Sequence, residues 1–149
     1  MAMRKVFAGL LTLGILWMAP AVQARDTEYK LRIDEVLQDP EFKDRLGGDV
    51  DFYFGDQRTP KVGKAFGEFV SNRKTNSFGK PDEQACRWAM LSALISLRDR
   101  AEEMGGNAVT KIVIYYKKDT FSSETEYECH AGGFVAGVAL KGTVVKLGK

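Results

Sequence analysis

The chain has 149 residues, 22 basic and 20 acidic, with 44% apolar and 11% aromatic content. That content suits a packed globular protein and excludes a disordered or low-complexity chain. Arg4 and Lys5 lie in the first 24 residues, which carry no acid, so residues 25–149 hold 20 charges of each sign. Such a balance lacks the surplus of Lys and Arg that grips a phosphate backbone, and no nucleic-acid partner is expected.

Residues 1–24 have the three parts of an export signal. Arg4 and Lys5 give a positive start and Val6 to Met18 an apolar run, and Pro20 to Ala24 is a short exit with small residues at Val22 and Ala24. Cleavage is expected between Ala24 and Arg25. A run of 13 apolar residues rises about 20 Å as a helix, short of the roughly 30 Å hydrocarbon core of a bilayer. No cysteine follows the run to carry a lipid. The expected product is residues 25–149, a single periplasmic domain without a membrane anchor.

Export changes the meaning of Cys86 and Cys129. Two cysteines in an oxidising compartment read first as a disulfide. Closing a loop of that length is worth roughly 3–4 kcal/mol on the chain-entropy model. The alternative is a reactive thiol or a metal site that adds His130, the one histidine. That set matches no zinc spacing and lacks a fourth ligand.

Along the chain, Leu31, Ile33 and Val36-Leu37 suggest a short first strand, and Pro40 breaks what precedes it. Asp49 to Gly55 alternates as a strand with Val50, Phe52 and Phe54 on one face. Gln57 to Lys64 is a loop. Ala65 to Lys74 suggests a third strand, although Phe66, Phe69 and Val70 break strict alternation. Asn76 to Pro81 is a turn-rich break.

Asp82 to Met104 is a helix, opened by an acid that suits the free N–H groups and closed by Gly105-Gly106. Cys86, Met90, Ala93, Leu94, Leu97, Ala101 and Met104 form one apolar stripe. Arg98 to Arg100, Glu102 and Glu103 charge the far side of its second half. In the first half that far side is also apolar, at Trp88, Leu91 and Ile95. Either the N-terminal segment covers those three, or they form a patch for a partner.

Ala108 to Lys117 is a β-branched and aromatic strand. After a polar turn, Thr125 to His130 alternates, with Tyr127 and Cys129 on one face and Glu126, Glu128 and His130 on the other. Phe134 to Leu147 is a strand interrupted by glycine, with Gly137 and Gly142 as expected bulges. A Cys86–Cys129 bridge would then pin the head of the helix to the sheet. The expected fold is α+β, with one long helix on an antiparallel sheet of four to five strands and a three-strand meander after the helix.

Catalytic signals are scarce. His130 sits opposite Cys129, as a surface histidine in a strand does. Glu124, Glu126 and Glu128 could draw a cation weakly, but divalent sites usually take ligands from a shaped loop. Gly63-Lys64 and Gly79-Lys80 lack the rest of a phosphate loop, and no glycine pair fits a dinucleotide fingerprint. No enzyme and no cofactor is expected.

From Cys86 to Lys146 the chain resembles a family. A cysteine at the head of a helix leads to Ala101, then Gly105-Gly106-Asn107-Ala108-Val109, a strand, a second cysteine, and Ala136 to Gly142. This resembles the C-terminal domain of the RcsF-like envelope-stress lipoproteins and the small YbjQ-like and DUF4156-like domains, some labelled "excinuclease subunit". The resemblance covers 82–147 and implies an α+β fold, a helix-to-strand disulfide and a role through protein contacts. The RcsF-like proteins carry two disulfides and a lipid anchor, whereas this chain offers one pair and no acylation cysteine. YbjQ-like domains are described as metal-binding and oligomeric.

The functional expectation is a non-enzymatic periplasmic interaction module for envelope stress or maintenance. Its partner would be another envelope protein, and self-association is open. A thiol- or metal-dependent protein using Cys86, Cys129 and His130 is the alternative.

Overall fold

The computed structural model describes residues 19–20 and 24–148. The apolar run Val6 to Met18 and the exit residue Val22 lie outside the described residues. Among those described, no helix is long and apolar enough to cross a membrane. The elements run β1 (Thr27–Arg32), α1 (Ile33–Leu37), α2 (Pro40–Leu46), β2 (Asp51–Phe54), β3 (Val62–Asn76), α3 (Asp82–Met104), β4 (Ala108–Tyr116), β5 (Asp119–Phe121), β6 (Glu126–Ala131) and β7 (Val135–Leu147). The α+β class and the single long helix are as the sequence reads.

The sheet is larger and more mixed than four or five antiparallel strands. Seven strands join around β7. One edge of β7 pairs with β3 from Val135↔Asn76 to Leu147↔Val62. Its other edge is shared end to end, by β6 at Ala136 and Gly137 and by β4 from Leu140 to Val145. β1 extends the sheet beyond β6, while β2 and β5 line the outer side of β4. The strands after the helix are therefore not a simple meander, because β7 lies between β6 and β4. β2 runs parallel to β4. The connection between them contains β3 and α3, long enough to bring the chain back in the same direction.

The broken alternation at Phe66 to Val70 is real. The β3–β7 register shifts between Ala65 and Gly67, and Gly67 has φ 131°, which glycine adopts without strain. Gly137 and Gly142 are not bulges. Opposite Gly142 the shift lies in β4, between Thr110 and Val113, where Lys111 has φ 51°. Gly142 is small because a Cβ there would stand 2.6 Å from a Val109 methyl and 3.1 Å from the Ile112 Cγ1 methylene.

α3 is covered on two sides. Its stripe of Cys86, Met90, Ala93, Leu94, Leu97 and Ala101 is buried in one core with Tyr127, Ala136, Val138, Leu140 and Val144 of the sheet. On the other side Phe42 of α2 meets Trp88 edge-to-face at 4.8 Å, Leu91 is buried at 1% exposure, and Ile95 packs on the same core. Of the two expectations for Trp88, Leu91 and Ile95, the structure has the covering one. They are not an open partner patch. The cover is α1 and α2, where the sequence reading placed no helix. Asp39 caps α2 by accepting from the Glu41 and Phe42 N–H groups, and Pro40 opens its first turn.

The glycine pair after α3 has two separate duties. Gly105 takes the left-handed cap at φ 79°. A Cβ on Gly106 would lie 2.9 Å from the Val145 carbonyl oxygen, so the chain needs the bare backbone to reach β7. Asn107 then donates its N–H to Val145 O at 3.0 Å, and its Oδ1 accepts from Leu147 N at 2.7 Å. The Gly105-Gly106-Asn107 motif is a clamp between helix end and sheet.

Candidate functional site

Cys86 and Cys129 are bonded, with Cα atoms 5.8 Å apart and both side chains fully buried. The bridge ties the first turns of α3 to β6. No free cysteine exists among the described residues. His130 points to the opposite face of β6, so the bridge and the histidine do not form one site.

His130 is ringed by acids. Its Nε2 lies 2.7 Å from Glu128 Oε1 and its Nδ1 3.1 Å from Asp26 Oδ1, and its side chain is only 12% exposed. Its ring stacks on Tyr116 at 3.5 Å between centroids. Tyr116 donates its hydroxyl to Asp26 Oδ2 at 3.1 Å. Desolvation pushes Asp26 up, but the Tyr116 hydroxyl, His130 and Lys117 outweigh it and leave the carboxyl below its usual value. The same contest, with His130 and Lys30 as partners, lowers Glu128.

Glu28, Glu128 and His130 offer ligand atoms within 4.8 Å of one another. An ammonium is already there. Lys30 Nζ lies 2.6 Å from Glu28 Oε1 and 3.1 Å from Glu128 Oε2, and it would repel a metal ion. Glu126 is exposed on β6 opposite Arg32, as Glu128 is opposite Lys30. The acidic row thus faces a basic row on β1, the favourable pattern for cross-strand neighbours. Glu124 lies apart from it, in the turn before β6.

The expected cleavage point, Ala24-Arg25, is exposed irregular chain. Arg25 donates to Asp82 Oδ2 at 2.6 Å and to the Gly132 carbonyl at 2.7 Å, and the Tyr29 hydroxyl donates to the same Asp82 oxygen at 2.7 Å. The Arg25 guanidinium first, then the Tyr29 hydroxyl, hold the Asp82 carboxyl down to about 2. The first turn of α3 is thereby fastened to the segment just before β1.

One surface feature escaped the sequence reading. Phe78 and Phe134 are 66% and 72% exposed and lie parallel, with ring centroids 5.7 Å apart. Val135 beside them is 48% exposed. A shallow depression joins them to Lys74, Thr75 and Asn76. The loops that carry the rings are fixed. Ser77 donates its N–H to Phe134 O at 2.9 Å and its hydroxyl to Gly132 O at 3.1 Å, and Phe78 N–H bonds Asn76 Oδ1 at 2.8 Å. The available signal was a phenylalanine inside each turn, Asn76-Ser77-Phe78-Gly79 and Gly132-Gly133-Phe134, where a turn has no core to offer it.

Compared with known protein families, with characterised proteins and with solved structures, the chain matches none.

Proposed function

We propose that this protein is a non-catalytic recognition module of the bacterial periplasm that docks on another envelope protein through the Phe78–Phe134 tip. The exposed, parallel ring pair is the observation that carries the reading. Soluble proteins rarely leave aromatic rings in water without a use, and Trp, Tyr and Phe anchors held rigid before binding lose little entropy on docking. Lys74 and Lys80 flank the tip, which favours a partner with an apolar seat and an acidic rim. The buried disulfide fits an oxidising compartment. Both ring nitrogens of His130 are engaged by carboxylates, which suits a structural clamp better than a proton-transfer group. The RcsF-like resemblance from Cys86 to Lys146 supports the same kind of role.

A photo-crosslinking residue in place of Phe78, expressed in periplasm, tests this. A discrete adduct with another envelope protein, lost on adding Phe134→Ser, is the expected result. No adduct, or adducts only with the protein itself, would overturn the reading.

A further inference from the structure

β3 is paired on one side only. From Glu68 to Asn76 it matches β7 residue for residue without a shift, so its other edge is a straight run of backbone. α3 covers one face of this run. There Ser71 Oγ donates to Ala93 O at 3.0 Å, Thr75 Oγ1 to Ala85 O at 2.9 Å, and Arg73 bonds Ser96 Oγ at 2.9 Å. Nothing among the described residues pairs with the edge itself. The other outer strands are shorter, since β2 has 4 residues and β1 has 6. An unpaired edge of this length presents a row of N–H and C=O groups ready to take another strand.

The charges along the edge say which strand fits. Opposite residues in an antiparallel pair share a face, so a two-fold axis must pass through a residue of β3. With the axis at Ser71, Glu68 of one copy stands opposite Lys74 of the other, and Phe69 stands opposite Arg73. Centred on Val70, Glu68 would meet Asn72. Centred on Asn72, it would meet Asn76. Only the Ser71 register sets opposite charges against each other on the open face. Glu68 is 61% exposed and reaches only Lys141, at 3.8 Å, while Lys74 has no ion pair among the described residues. On the helix side, Asp99, Arg100 and Glu103 line the groove beside Phe69 and Arg73, with Asp99 paired to Arg98 and Glu103 to Arg100, so the charges that choose the register are those of the open face.

We propose that β3 pairs antiparallel with β3 of a second copy of this chain about a two-fold axis at Ser71, continuing the sheet across a dimer. This surface is separate from the Phe78–Phe134 tip, so either reading can fail alone.

The test is sedimentation equilibrium of the purified exported protein. The wild type should be a dimer. Glu68→Lys and Lys74→Glu each set like charges opposite one another, and each should weaken the dimer by about tenfold or more. The double variant Glu68→Lys/Lys74→Glu restores opposite pairs in reversed order and should dimerise within about threefold of wild type. Both positions are exposed, and unchanged melting curves will show that the fold is intact. A wild type that stays monomeric at high micromolar concentration overturns the proposal. So does a dimer that the single changes leave intact, or one that the double change fails to restore.

Discussion

Removing the disulfide should cost this fold a large part of its stability, mainly through the unfolded state. The bridge spans a sequence separation of 43. Closing such a loop removes about 4 kcal/mol of chain entropy from the denatured ensemble at 25 °C. For the continuous described span, residues 24–148, an unfolding entropy of about 2.1 cal/mol/K per residue converts that to a fall of about 15 °C in Tm. Both sulfurs are fully buried, so Cys86→Ala/Cys129→Ala also loses packing. Reduced wild type, which keeps the sulfurs, separates the two contributions. The assay is urea unfolding followed by circular dichroism on oxidised protein, reduced protein and the double variant. The released chain expands when unfolded, so the denaturant slope should rise as the midpoint falls. A loss below about 1 kcal/mol, or a full loss with an unchanged slope, would refute loop closure as the source.

Three further outcomes follow from named contacts. Asp82 is held near 2 in the folded protein against an ordinary value of 3.8, so its contribution is complete above pH 3.8 and is lost as pH falls through 2. Asp82→Asn should therefore lower Tm by a constant amount from about pH 5 to 8, and a gap still open below about pH 2 would disprove the assignment. Gly142→Ala forces a methyl group against Val109 and Ile112 in a full core, and chemical denaturation should show a loss of about 1–3 kcal/mol. Asp39→Ala removes the α2 cap and the carboxylate 2.7 Å from Arg87, for a loss of about 1 kcal/mol or more. Tm unchanged within about 1 °C would show that α2 does not depend on its cap.

How much of this was legible depended on whether a signal was local. The long helix declared itself through its 82–104 periodicity and closing glycines. The disulfide followed from an even pair of cysteines, read with the expectation of export. α2 is less legible, because Pro40 both ends what precedes it and, after Asp39, suits the first turn of a helix, and the local sequence does not choose between the two. The apolar far side of α3 at Trp88, Leu91 and Ile95 was visible, but one helix cannot say which of its faces lies against a second layer.

The candidate site shows the same limit. Periodicity put Glu128 and His130 on one face of β6. Only the pairing of β1 with β6 brought Asp26, Glu28 and Lys30 to them and turned an apparent cation site into a compensated charge row. Phe78 and Phe134 lie 56 positions apart and meet because β3 and β7 pair along their whole length. The sequence by itself determined the class of fold, the helix and its covalent staple, because propensity, periodicity and cysteine count act over short stretches. The tertiary structure alone decided strand order, the parallel β2, the covered helix face and the exposed aromatic tip. Those depend on which distant segments share a hydrogen-bonded edge, and no single segment carries that information.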